Sequence, residues 1–199
     1  MTINIEKEYK FLINEDHFQQ ILKKYQFKDK IIQTNYYFDS QDFLLAKDNI
    51  TLRCREKNDM FYLQAKIKNK NNENYTSSQE LSVKIDSIPN VIDNEFLYTN
   101  LTSFPLKYKG ITFKKIGLLT TTRHLVQIND LIIHLDKNLY NNTIDFEIEI
   151  EFDIESYEKV LEIIKILNLK NSVSINGKKN RFIKSLNNLN TKKGTYYGK

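Results

Sequence analysis

Thr143–Asp153 reads TIDFEIEIEFD, and its alternation is complete. Ile144, Phe146, Ile148, Ile150 and Phe152 share one face, and Asp145, Glu147, Glu149, Glu151 and Asp153 share the other. Period-two patterning of this kind marks a β-strand with two chemically distinct faces. Successive carboxylates on one face stand about 7 Å apart, at a rise of about 3.4 Å per residue, so they repel unless solvent or cations intervene.

The same separation recurs along the chain. IEKEYKF, Ile5–Phe11, sets Glu6, Glu8 and Lys10 on one face and Ile5, Tyr9 and Phe11 on the other, the latter expected to pack outward. TLRCREK puts Arg53 and Arg55 opposite Leu52 and Cys54, and MFYLQAKIK puts Tyr62, Gln64, Lys66 and Lys68 opposite Phe61, Leu63, Ala65 and Ile67. Glu80 lies on the Ser78–Ser82 side of a further strand. Three arrangements fit these stripes: a solvated outer sheet face, a ladder of structural ion pairs, or a barrel whose polar face encloses a charged cavity. The apolar faces are complete enough to be covered by helices and loops, which speaks against the solvated face. In a cavity, Arg and Lys would satisfy phosphate oxygens with charge-assisted bonds. Carboxylates beside those oxygens would need a hard cation such as Mg²⁺ or Mn²⁺ between them.

Candidate strands are Asn4–Ile13, Lys30–Phe38, Ile50–Lys57, Phe61–Lys68, Ser77–Ile85, Ile111–His124, Leu125–Asp136 and Thr143–Asp153. Lys57–Met60 reads as a hairpin turn, and Asn129–Asp130 marks a break that suits a second. Helical periodicity follows Asn14, through Phe18, Ile21, Leu22 and Tyr25, and recurs over Glu155–Leu167. Ser87–Leu97 and Arg181–Leu189 are weaker helical segments. These elements predict a mainly β fold with α additions: a closed eight-stranded antiparallel β-barrel, or tunnel, with helices packed outside. One domain over residues 1–190 is expected, with 191–199 as a flexible tail.

The 199 residues suffice for a sizeable core, and 5 Gly and 2 Pro favour long regular elements. A net charge of +5 favours anionic partners but is too small to indicate nucleic acid. A single cysteine, Cys54, excludes an intrachain disulfide framework. No signal-like segment or membrane-length apolar run is present, so a cytoplasmic protein is expected. No pair of the three histidines has metal-site spacing, and the strand around His134 leaves its direction open.

The ordered set of charged strands resembles the CYTH domains, or triphosphate tunnel metalloenzymes, over roughly residues 3–186. Glu6, Glu8 and Lys10 match their Glu-x-Glu-x-Lys signature, and Arg53 and Arg55 their tandem strand arginines. Lys66, Glu80, the Arg123 of LLTTTRH and the Asp145–Glu151 strand after LDKNLY follow in family order. Lys178 in GKKNRF is the C-terminal basic match, with Lys179 as its alternative. NYYFDS, Asn35–Ser40, resembles the bacterial thiamine-triphosphatase-like branch.

This resemblance implies Lys10, Arg53, Arg55, Lys66, Arg123 and Lys178 as triphosphate-binding residues, with Arg53, Arg55, Glu80 and Arg123 in the catalytic set. It implies Glu6, Glu8, Glu147 and Glu149 as ligands of Mg²⁺ or Mn²⁺. Glu80 and Glu151 would hold basic side chains or cations, Asp145 would be a ligand or an entrance residue, and Asp39 would support the rim. The implied activity is metal-dependent hydrolysis of a small-molecule triphosphate, with inorganic triphosphate ranked first. The alternatives are thiamine triphosphatase or nucleoside triphosphatase, adenylyl cyclase, and a non-catalytic polyphosphate-binding module. Neither nucleic acid nor membrane is an expected partner, and the sequence leaves oligomeric state open.

Overall fold

The computed structural model describes residues 1–69, 75–128, 131–169 and 177–194. In chain order the elements are β1 (Thr2–Ile13), α1 (Glu15–Lys24), β2 (Phe27–Asp39), α2 (Leu44–Lys47), β3 (Ile50–Lys57), β4 (Met60–Lys68) and β5 (Thr76–Ile85). There follow β6 (Val91–Ile92), α3 (Asn94–Asn100), β7 (Phe113–Ile128), β8 (Leu131–Tyr140), β9 (Thr143–Glu151), α4 (Tyr157–Ile166) and α5 (Lys178–Gly194). The strand order β2-β3-β4-β5-β1-β9-β8-β7 returns to β2 through a β2–β7 pairing, closing an antiparallel barrel of eight strands. The two-residue β6 only edges β7.

The barrel is inverted relative to a common soluble barrel: its apolar faces point out and its charges point in. Two outer cores make this stable, because each apolar face is taken from water by a covering layer. On one side α1 and α4 bring Phe18, Ile21, Val160 and Ile163 onto Tyr9, Phe11, Ile148 and Ile150. On the other, Leu45 of α2, Leu97 of α3 and Phe104 pack on Leu52, Cys54, Leu63, Ala65 and Leu81. Ile5 departs from its expected place. It is 73% exposed, because neither covering layer reaches that end of β1.

α5 closes one end of the barrel. Its Phe182 joins Tyr37, Leu119 and Tyr140 in a third small cluster. Gly117 permits that approach: at φ +146° it has no side chain, and a Cβ there would lie 2.6 Å from Phe182 Cζ. The β2–β7 register slips at the same place, between Tyr37 and Phe38, as a β-bulge does where a strand must bend.

Local sequence accounts for the boundaries. Asn14 caps α1 by accepting a hydrogen bond of 2.8 Å from the His17 backbone N–H. Asn58–Asp59 and Asn141–Asn142 all take positive φ, the conformation of tight hairpin turns that Asn and Asp tolerate. The expected strand break at His124–Leu125 is corrected to a longer β7, since Leu125 and Val126 continue the alternation and Val126 is buried. The expected Asn129–Asp130 turn lies outside the described residues. The Ser87–Leu97 helix is corrected to β6 followed by α3. Asp93, whose side chain accepts from the Phe96 N–H at 2.8 Å, fixes the later start. α5 begins at Lys178 and continues to Gly194, beyond the expected Arg181–Leu189. Residues 195–199 of the expected tail lie outside the described residues.

Candidate functional site

Strand alternation aims the charged stripes into a cavity of about 360 Å³. Glu6, Glu8, Lys10, Arg53, Arg55, Lys66, Glu80, Arg123, Glu149 and Lys178 all line it. Glu147, expected with them, sits fully buried behind the lining, where Lys178 and Arg181 contact its carboxylate. Tyr62, which shares the Lys66 face, is absent from the lining and reaches Met60 instead.

Most of the lumen charge is organised around a few carboxylates. Lys10 Nζ lies 2.8 Å from Glu8 Oε1 and 3.2 Å from Glu149 Oε1. Lys66 reaches the same Glu8 oxygen at 2.7 Å and also contacts Glu6. Arg123 grips Asp136 with two parallel bonds of 2.8 and 2.7 Å and touches Glu149. Lys178 stands 2.8 Å from both Glu149 Oε1 and Asp136 Oδ2. Lys179 turns elsewhere, donating to Asp39 Oδ2 at 3.0 Å and to the Ile50 carbonyl at 2.6 Å. Both lysines line the cavity: Lys178 meets the carboxylate cluster, and Lys179 is tied to Asp39 and the Ile50 carbonyl. Asp39 also accepts from the Ser40, Leu45 and Ala46 N–H groups, tying α2 to the end of β2.

On the opposite wall Arg53 donates to Gln64 at 3.0 Å and to Glu80 at 2.7 Å. Arg55 donates from Nε to Asn35 Oδ1 at 3.0 Å and has no carboxylate partner among the described residues. Burial, reinforced by Arg53, pushes its guanidinium down to about 9. A guanidinium in that state is still charged at neutral pH, and Glu80 acts on it only from beyond ion-pair distance.

The carboxylates feel opposing forces. Burial works to raise Glu149, but Lys10, Lys178 and Arg123 together hold it well below the ordinary range. Burial likewise opposes ionisation of Glu8, and Lys10 and Lys66 overcome it. Glu6 goes the other way: burial pushes it up to about 7, and Glu8, Glu151 and Glu80 add to the shift against the pull of Lys66.

Three groups have donor atoms close enough to share a cation: Glu6, Glu8 and Glu151; Asp136, Glu147 and Glu149; and His134, Glu149 and Glu151. Within each, the donor atoms lie within 4.8 Å of one another. Asp136 and Arg181 are site-adjacent residues that the strand pattern alone does not single out. Asp136 belongs to the LDKNLY run, but β8 alternation through His134, Asp136 and Asn138 signals its inward face only once the end of β7 is placed correctly. Arg181 lies one turn beyond Lys178 on α5, where it holds Asp145 at 2.8 Å.

Fold and lining together define a barrel protein with a charged central chamber. The chain belongs to the CYTH domain family, whose model matches residues 4–183. Bacillus subtilis (strain 168) YjbK, described as a candidate triphosphatase, is 28% identical over 173 residues, covering 83% of this chain and 90% of that protein. A Bacillus halodurans structure described as a candidate adenylate cyclase, bh2851, is similar with a TM-score of 0.70 and 27% identity, covering 92% of this chain and 99% of that one. Hippeastrum HpAC1, described as a candidate adenylyl cyclase with a dominant triphosphatase activity, shares the fold with a TM-score of 0.66 at 21% identity, covering 90% and 95%.

Proposed function

We propose that this protein hydrolyses a phosphoanhydride bond of a small triphosphate, inorganic triphosphate before others, with Mg²⁺ or Mn²⁺ as cofactor. The observation that carries the proposal is Arg55: a largely desolvated guanidinium facing the cavity, bonded to a neutral amide and without a carboxylate in ion-pair contact among the described residues. A desolvated cation in such a place is stabilised by an incoming anion, and guanidinium geometry matches phosphate oxygens. The described relatives support the reading, since triphosphatase activity is named for two of them.

The donor set fits a hard divalent cation. Glu6, Glu8 and Glu151 offer only oxygens, and the Glu6 carboxyl is raised first by burial and then by the neighbouring Glu8, Glu151 and Glu80. Glu149 would join them at the chamber wall, and Glu147, set behind the lining, would act with Asp136. When bound, the cation would neutralise phosphate charge and make a coordinated water more acidic.

The remaining work belongs to the chain's own side chains. Arg53, Arg55 and Arg123 would stabilise charge on the transferring and leaving oxygens. Glu80 holds Arg53 in place and Asp136 holds Arg123, so both guanidinium groups are aimed before substrate enters. Lys10, Lys66 and Lys178 would orient the polyphosphate. Water is the attacking group in this scheme. Cys54 lies on the outer apolar face, where burial pushes its thiol up to about 12, away from nucleophilic use.

Phosphate and pyrophosphate release should be measured in parallel from inorganic triphosphate, thiamine triphosphate and ATP, with Mg²⁺, Mn²⁺ or chelator. The expected result is phosphate release, fastest from inorganic triphosphate and abolished by chelator. Pyrophosphate release from ATP alone, with cyclic AMP rather than AMP as the other product, would replace hydrolysis with cyclisation. Tight binding with no turnover would leave a binding module.

A further inference from the structure

His134 lines the lumen but has no part in the triphosphate scheme. It stands on β8 directly opposite Glu149 in the β8–β9 register. Its neighbours Ile133 and Leu135 are buried in the outer core, so strand alternation turns His134 inward, where it lines the cavity. Its Nδ1 lies 3.3 Å from Glu151 Oε1. That contact is near enough for an ion pair but too poorly aligned for a hydrogen bond, and the buried Nδ1 is left without one. A ring nitrogen held by one long carboxylate contact is available to a closer ligand.

The geometry around it supplies a candidate. An imidazole nitrogen of His134 and carboxylate oxygens of Glu149 and Glu151 lie within 4.8 Å of one another, about the span two metal–ligand bonds of roughly 2.1 Å can bridge after a small closure. This group differs in kind from Glu6, Glu8 and Glu151, which offers oxygen alone. Mg²⁺ favours an all-oxygen octahedron, whereas Mn²⁺, Co²⁺ and Zn²⁺ accept imidazole beside carboxylate.

We propose that His134 is a nitrogen ligand, together with Glu149 and Glu151, for a divalent cation in the chamber, and that it biases the chamber toward Mn²⁺ and Co²⁺ over Mg²⁺. The proposal deepens the metal-dependent reading and rests on its placing a cation in the chamber. It assigns His134 a role distinct from the carboxylate ligands: the ring selects among cations, while the acidic residues bind any of them. A purely structural His134 would be an ion-pair partner of Glu151 and would not discriminate between metals.

The test uses the intact protein without triphosphate. Mn²⁺ is bound, and its electron spin echo is examined for modulation by a coordinated nitrogen. Mn²⁺ and Mg²⁺ are then competed on wild type and on His134→Gln. Nitrogen modulation is expected in wild type and absent in the variant, with the Mn²⁺-over-Mg²⁺ preference falling about tenfold. Bound Mn²⁺ with oxygen ligands only, or an unchanged preference in His134→Gln, overturns the proposal and leaves metal-dependent hydrolysis standing. No Mn²⁺ binding at all overturns both. Nitrogen-coupled Mn²⁺ with no turnover of any triphosphate upholds His134 and rejects the hydrolytic reading. If His134→Gln fails to fold, the wild-type echo alone decides.

Discussion

The wall formed by β3 and β4 and the wall formed by β1, β8 and β9 face each other across one chamber, yet their chemistry is opposite. Arg53, Arg55, Lys57, Lys66 and Lys68 give the first wall its lining charge, with no carboxylate from either strand. Glu6, Glu8, Glu149 and Glu151 dominate the second, with Asp136 and Glu147 buried behind them. Some charge is matched across the gap, as by Lys66 on Glu6 and Glu8. Arg55 has no carboxylate in ion-pair contact among the described residues, and burial keeps Glu6 raised to about 7 despite its Lys66 contact. A chamber polarised in this way suits a ligand pair of opposite sign, polyanion against the basic wall and cation against the acidic one. A ladder built only for stability would have paired those two groups instead.

The largest expected effect comes from breaking the basic wall. Arg55→Ala should weaken inorganic triphosphate binding about a hundredfold in titration calorimetry while the fold survives, because no carboxylate is left stranded. On the acidic wall, Glu149→Gln should have the converse signature. It should reduce cation-supported turnover sharply and also lower the melting temperature, since Lys10, Arg123 and Lys178 all lean on that carboxylate. Equal effects of the two variants on cation affinity would erase the distinction between the walls.

A smaller effect is carried by Glu6. Its carboxyl is raised from 4.5 to about 7 in the folded chain, so the folded state holds the proton more tightly than the unfolded one. The resulting stabilisation is full below about 4.5 and is lost as pH rises through about 7. Denaturant unfolding of the metal-free protein should therefore show Glu6→Gln gaining on wild type between those values, by roughly 1–3 kcal/mol at pH near 8. A flat difference across that window would show that Glu6 is not protonated in the fold. The smallest effect belongs outside both walls. Cys54→Ala should cost about 1 kcal/mol of stability from lost packing and leave turnover unchanged, as assayed by phosphate release.

Much of the barrel was legible because its faces are so cleanly divided. Asp145 to Glu151, Arg53 with Arg55, and Glu6 with Glu8 and Lys10 each announce a strand and its inward side. What alternation cannot supply is depth and company. Ile5 has the right parity for the outer core yet lies beyond the helices that would cover it. Glu147 has the right parity for the lumen yet is screened by Lys178 and Arg181, which arrive on α5 from the far end of the chain. His134 stays open in the sequence because apolar Ile132, Ile133 and Leu135 surround it, so alternation in IIHLD does not mark an inward face. α5 was the least legible element. Its seat depends on Gly117 leaving room for Phe182, a contact spanning many residues that no local pattern encodes.

The central claim, that cation and polyphosphate divide the chamber between the two walls, is most directly tested by a crystal structure with Mn²⁺ and a non-hydrolysable triphosphate analogue. Anomalous scattering should place Mn²⁺ against the carboxylates of β1 and β9, with phosphate oxygens on Arg53 and Arg55. Phosphates bound outside the barrel, or an analogue held in the chamber with Arg55 still bonded only to Asn35, would contradict it.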